Sequence, residues 1–218
     1  MITDFNSVSI QDEWVPILEK IAEDLVNTGY SLTDNLLPEE KIYSIKDRFQ
    51  YLLDEDEFQK SAIGKKLLLK VNEEIRGDYI RWIETDDLPP TIETYYNFLS
   101  QLIAYFNRHL YIGLKDLESH YAFYPKGKWY LKHRDRFKKN PHRVISVVLY
   151  LNENWVESNG GNLIIYDDNL KELKNVAPII NRLAVFKSEM IHEVLPCTTS
   201  RYSITTWLLD KEKELTFL

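Results

Sequence analysis

"LKHRDRFKKNPHRVISVVLYLN", Leu131 to Asn152, holds two signals side by side. Its second half, from Arg143 to Asn152, is an apolar, β-branched run preceded by the turn signal Asn140-Pro141, and this predicts a buried strand. Its first half sets His133 and Asp135 two positions apart. On a strand such positions share a face, about 6.5 to 7 Å apart along the chain. An imidazole and a carboxylate placed that way can share one metal ion. The chain has only five histidines, and two fall in this stretch.

Working outward from it, short β-rich runs follow one another: "SHYAFY" (119–124), "WYLKHR" (129–134), "GNLIIY" (161–166), "APIINRLAVFK" (177–187), "IHEVLP" (191–196) and "RYSITTWLLD" (201–210). Pro125, Asn159-Gly160-Gly161 and Asp167-Asp168-Asn169 separate them. Many short strands at this spacing predict a sandwich or barrel. Upstream the periodicity changes. Trp14, Ile17, Leu18, Ile21, Ala22 and Leu25 form one helix face, with Gly29 as its stop. "YSLTDNLL" (Tyr30 to Leu37) alternates like a strand. Pro38 is expected in the first turn of a second helix that turns Ile42, Ile45, Phe49 and Leu52 inward. A loop is expected around Gly64. Glu73 to Glu84 reads as a strand with a turn or bulge at Gly77, and "TDDLPP" (Thr85 to Pro90) as a loop. A third helix, Thr91 to Leu110, carries Ile92, Tyr95, Tyr96, Leu99, Leu102, Ile103 and Phe106 on one face. The expectation is one α+β domain over residues 1–218. Residues 1–112 give mainly helical support with early strands, residues 113–210 give the β core, and the helices cover one sheet's outer face.

Composition narrows the function classes. Hydrophobic residues make up 44% and charged residues 28% of 218, as in an ordinary well-cored domain. The net charge of −7 argues against nucleic acid or an anionic membrane as partner. No apolar run is long enough to span a bilayer, and no signal peptide is read at the N-terminus. The single cysteine, Cys197, excludes an internal disulfide and thiolate-rich zinc sites, and points to a cytoplasmic location. Any metal must therefore rest on histidine and carboxylate.

His192 lies in another strand-like run. With His133 and Asp135 it completes two histidines and one carboxylate, the facial triad of non-haem Fe(II) oxygenases, which leaves three metal positions open. Arg201, nine positions beyond His192, opens an apolar run read as a central strand. A guanidinium there needs a carboxylate partner. Each residue also has a plainer reading: a solvated His-Asp pair, a core histidine, an arginine paired with an internal Asp or Glu. The ordered set His-x-Asp, distant His, then Arg favours the metal site.

These stretches resemble the 2-oxoglutarate- and Fe(II)-dependent dioxygenases, in the prolyl-4-hydroxylase branch that includes the hypoxia-inducible-factor prolyl hydroxylases and their bacterial relatives. The likeness is carried by "FYPKGKWYLKHRD", "LYLNENWVESNGGNLIIY", "RYSITTWLLD" and "IRGDYIRWIE" (Ile75 to Glu84), and covers roughly residues 28–210. The resemblance implies a double-stranded β-helix, a jelly-roll or cupin-like sandwich with supporting N-terminal helices. It implies that His133, Asp135 and His192 bind Fe(II). Arg201 and Tyr150 would hold the distal carboxylate of 2-oxoglutarate, and Tyr124 its other end, with Thr205 lining that pocket. Arg76, Trp82 and Trp207 would meet a peptide substrate at the entrance, under a lid formed by the 85–90 loop. O2 is the further cosubstrate and ascorbate the expected reductant; no catalytic residue is implied beyond the metal centre. The expected reaction is hydroxylation of a prolyl residue in a protein, releasing succinate and CO2. Hydroxylation of a free amino acid or other small molecule is the alternative, and a non-catalytic binding module on the same fold is the reading of another class. Asp135, where a smaller residue would leave room for halide, favours hydroxylation over halogenation. His120 departs from the family pattern, which is apolar there, and either alters substrate choice or is an incidental surface group. The basic segment Arg134 to Arg143 is read as a solvated loop, with a docking patch for an acidic partner as the alternative.

Overall fold

The computed structural model describes residues 4–61, 75–85, 88–138 and 140–212. Gly64, Glu73, Glu74, Asp86 and Asp87 lie outside them, so the expected loop at Gly64 and the tip of the proposed lid do too.

Two antiparallel sheets face each other. Among the described residues the larger has the order β1-β9-β6-β11-β4-β3-β2 and the smaller β5-β10-β7-β8. The strands are β1 (Tyr30–Thr33), β2 (Gln59–Lys60), β3 (Tyr79–Ile83), β4 (Asp116–Tyr124), β5 (Tyr130–His133), β6 (Arg143–Tyr150), β7 (Leu163–Tyr166), β8 (Glu172–Val176), β9 (Leu183–Lys187), β10 (Ile191–Val194) and β11 (Arg201–Leu209). This is a double-stranded β-helix. Helices α1 (Val15–Asn27), α2 (Glu39–Asp54) and α3 (Glu93–His109) precede the main strands.

Strand alternation divides the larger sheet into two faces with different tasks. Ile145, Val147 and Leu149 of β6, Ile204 and Leu208 of β11, Leu183 and Val185 of β9, and Leu117 and Tyr121 of β4 join one buried cluster with the helices' apolar stripes. Leu18, Ile21, Ile42, Ile45, Phe49, Leu99 and Phe106 are essentially buried there, each worth about 1.5–3 kcal/mol relative to exposure. The residues between them in sequence point the other way. Val148, Tyr150, Ala184, Phe186, Ala122 and Tyr124 meet Leu163, Ile165, Val176 and Val194 of the smaller sheet. His133, Asp135, His192, Arg201, Tyr124, Tyr150 and Thr205 line that inter-sheet space.

Three expectations about these elements need correction. β1 stops at Thr33, because Asn35 takes φ 54° and turns the chain. Leu37 is then held by Asn181, whose side chain bonds both its N–H and its carbonyl at 2.9 and 2.7 Å. Pro38 stands just outside α2 in an extended conformation, with Glu39 and Glu40 in the first turn, where their charge suits the helix dipole. "APIINRLAVFK" is strand only from Leu183, since Asn181 at φ 61° breaks the extended run. Conversely β8 had not been foreseen: it is a largely exposed, polar edge strand with no alternation to read.

Candidate metal centre and cosubstrate pocket

His133 ends β5 and lies directly opposite His192 of β10 in the register of the smaller sheet. Asp135 does not share the strand, as the spacing had suggested; it sits in the bend just past β5. That bend is anchored by the Arg136 N–H, which donates to the Ser188 carbonyl at 2.8 Å. The result still gathers the three residues: one ligand atom from each lies within 4.8 Å of the others. The Nε2 atoms of His133 and His192 are 3.6 and 3.4 Å from the Asp135 carboxylate. Each imidazole spends its Nδ1 on the carbonyl two residues earlier, Leu131 at 2.8 Å and Met190 at 3.0 Å. A carbonyl only accepts, so Nδ1 carries the proton and Nε2 keeps its lone pair for a metal.

Asp135 is oriented by Ser146, whose Oγ donates to Oδ2 at 2.7 Å and lies 2.8 Å from the Ser188 hydroxyl. Burial alone would raise its pKa, but His192 and His133 outweigh that and hold the carboxyl well below its usual range. Burial, reinforced by His133, lowers His192 to about 4. The carboxylate is charged and His192 neutral at pH 7, the forms that ligate metal.

The inner face of the larger sheet supplies the rest of the pocket: Tyr124, Tyr150, Arg201 and Thr205 line it with His133, Asp135 and His192. Arg201 is 2% exposed. Its Nε donates to the Gly161 carbonyl at 2.9 Å and Nη1 to Ser203 Oγ at 3.3 Å. The guanidinium lies 4.9 and 5.1 Å from the ring centroids of Tyr124 and Tyr150. No carboxylate of the described residues pairs with it, so the plainer reading of an internal ion pair does not hold. The Tyr150 hydroxyl is likewise buried without a partner. Burial raises both tyrosines, more than Arg201 offsets for Tyr150, so both are neutral donors. A buried cation beside an unsatisfied hydroxyl is a costly arrangement that a small-molecule carboxylate would complete. The residues fit Fe(II) and 2-oxoglutarate.

Gly160 and Gly161 make the arginine's position possible. Both have positive φ, 63° and 65°. A Cβ on Gly160 would lie 2.5 Å from the Pro196 carbonyl oxygen, and one on Gly161 would lie 3.2 Å from Arg201 Cδ. Gly160→Ala is therefore expected to destabilise the fold by about 1–3 kcal/mol and to weaken 2-oxoglutarate binding. Urea unfolding and a 2-oxoglutarate titration check the two effects.

On the entrance side, Trp82 (43% exposed), His120 and Trp207 form contiguous rings, each 5.1 Å from His120. Arg143 lies 3.4 Å over Trp207 and is paired with Glu118. His120 is buried, not a surface group, and its Nδ1 has no partner; burial, then Arg76, lowers it to about 3, so it is neutral. Arg76 is pinned to Asp78 by two bonds of 2.7 and 2.6 Å. The basic segment is pinned as well. Arg134 bonds Asp168 at 3.0 Å, while Arg136 and His142 reach Asp210 at 3.4 and 2.7 Å. The docking-patch alternative thus has few spare charges to stand on. Ser146, Tyr130 and Arg143 were missed from sequence. Ser146 alone left a signal, as a small hydroxyl set among the aliphatic residues of β6 that lead to Tyr150.

A sequence profile of the 2OG-Fe(II) oxygenase superfamily matches residues 119–209, the span of β4 to β11. The chain belongs to the 2-oxoglutarate- and Fe(II)-dependent oxygenases. Within them it belongs to the prolyl-hydroxylase branch. A Pseudomonas putida prolyl-4-hydroxylase is 34% identical, with 90% of this chain and 100% of that one covered and a TM-score of 0.80. A Trichoplax adhaerens prolyl hydroxylase, solved with a hypoxia-inducible-factor oxygen-degradation-domain peptide, is 27% identical, with 93% and 94% covered and a TM-score of 0.81. Human prolyl hydroxylase EGLN3 is 29% identical over 90% of this chain and 84% of its own.

Proposed function

We propose that this chain hydroxylates a prolyl residue of a protein or peptide substrate, using Fe(II), O2 and 2-oxoglutarate. One observation carries the oxygenase chemistry: two histidine Nε2 atoms and a carboxylate converge in the same pocket as a buried, unpaired arginine. The prolyl specificity is supported by the relatives above, one of them holding its peptide. His133, Asp135 and His192 would hold the iron; Arg201, Tyr150, Tyr124 and Thr205 would hold the cosubstrate. Bound Fe(II) supplies O2 activation, which couples oxidation of 2-oxoglutarate to succinate and CO2 with transfer of one oxygen atom to a substrate C–H bond.

The chain's own residues prepare that chemistry. The Leu131 and Met190 carbonyls fix both imidazole tautomers, and Ser146 holds the carboxylate that Asp135 presents. Arg201 sets the cosubstrate's direction. Val148, Phe186 and Leu163 line the pocket with apolar surface and limit water. Trp82, exposed beside Trp207 and His120, offers a flat surface for the substrate. The single cysteine supports a reducing, cytoplasmic setting, and no helix of the described residues is long and apolar enough to cross a membrane.

Succinate release should rise with proline-containing peptides and stay at the uncoupled level with free proline. Mass spectrometry should place one added oxygen on a proline. Stimulation by free amino acids alone would transfer the chain to the small-molecule hydroxylases, and no succinate under any condition would leave the binding-module reading.

A further inference from the structure

Tyr130 lies between Arg76 and the ligand residue His133. Its ring stacks on the His133 imidazole, with centroids 3.6 Å apart and planes 15° from parallel. The Arg76 guanidinium sits 4.4 Å from the centroid of the same ring. Asp78 fixes Arg76 with its two bonds, and is itself buried and bonded to Ser61 Oγ at 2.6 Å. The backbone holds the same alignment. Arg76 bridges Tyr130, the Gly77 N–H donates to the Trp129 carbonyl at 3.0 Å, and the Leu131 N–H to the Ile75 carbonyl at 2.9 Å. A continuous series therefore runs from a buried carboxylate through a guanidinium and a phenol ring to a metal ligand.

The two histidines differ in what surrounds them. His192 is enclosed in the core, with the Phe186 ring edge-on at 4.7 Å. His133 ends its strand, and its side chain is 17% exposed against 6% for His192. One hydrogen bond at Nδ1 leaves an imidazole free to tilt about that bond. A ring stacked flat on one face removes the tilt.

We propose that Tyr130 is a positioning residue for the metal centre, setting the ring plane of His133, and that the Arg76–Asp78 pair holds Tyr130 in place. This assigns Arg76 to the metal's support, where the resemblance had placed it on the substrate. The inference rests on His133 being a metal ligand.

Anaerobic titration with Mn(II) tests it, with thermal unfolding of each variant as a check on folding. Tyr130→Phe keeps the stacked face and should bind Mn(II) within about twofold of wild type. Tyr130→Leu should bind about 10- to 100-fold more weakly, the usual effect of losing an outer partner of a metal ligand. Arg76→Ala, which leaves the ring in place but unsupported, should weaken binding by a smaller factor, about threefold or more on the same scale. The visible absorption of the anaerobic Fe(II)–2-oxoglutarate complex should change in Tyr130→Leu and not in Tyr130→Phe, a difference that general loss of packing does not produce. If Tyr130→Leu binds Mn(II) like wild type while His192→Ala does not, the stack has no role and the proposal falls with the metal site intact. If His192→Ala also keeps the affinity, the metal site itself falls and the proposal with it. If Arg76→Ala leaves Mn(II) affinity unchanged but raises the KM for peptide, Arg76 returns to the substrate and only the Tyr130 half survives.

Discussion

His192→Ala and Asp135→Ala each abolish 2-oxoglutarate turnover while leaving the sheets assembled: this is the expected result with the largest effect. The three residues would hold the metal together, and removing one would leave only two protein ligands. Neither residue packs the helix–sheet cluster that stabilises the fold. Asp135 is a buried carboxylate between two imidazoles, so the effect of its removal is confined to the inter-sheet pocket. His192 rests on the Phe186 ring, and its loss costs packing at one core position. The expected observations are folded circular dichroism spectra, no succinate above background, and Mn(II) affinity too weak to saturate. Unchanged Mn(II) affinity in both variants would remove these residues from the centre.

Arg201→Lys is expected to weaken 2-oxoglutarate about 10- to 100-fold, corresponding to about 1.5–3 kcal/mol for a charge-assisted hydrogen bond. The fork of a guanidinium can bond Gly161 through Nε and still present other donors to a carboxylate; an ammonium has a single point of charge and a shorter reach. The Gly161 carbonyl, which accepts from Arg201 Nε at 2.9 Å, would also lose its partner. Because the arginine acts on the cosubstrate, Mn(II) affinity without 2-oxoglutarate should stay within about twofold, which separates this variant from the ligand substitutions. Equal 2-oxoglutarate affinity in wild type and Arg201→Lys would show that another residue holds the carboxylate.

Sequence by itself determined a good deal. Period-three-and-four stripes placed α1, α2 and α3 to within a few residues, because each helix must bury one face. Apolar runs located β4, β6, β7, β10 and β11, and His133, Asp135, His192 and Arg201 stood out as chemically expensive residues in or beside them. What strand periodicity conveys is which face a residue takes, and the inner-face residues Tyr124, Tyr150 and Thr205 follow from it once the resemblance names them. It does not convey which strands are neighbours. Only the tertiary register set His133 opposite His192, brought Ser146 to Asp135, and left Arg201 facing the Gly161 carbonyl with no acid of the described residues paired to it. The same holds for Arg76, whose nearest acid is two residues away in sequence but whose ring partner, Tyr130, comes from a distant strand. β8 shows the limit from the other side. An edge strand largely bathed in solvent needs little apolar pattern: β8 buries only Val176 and otherwise rests on backbone hydrogen bonds to β7, which carry no trace in side-chain chemistry.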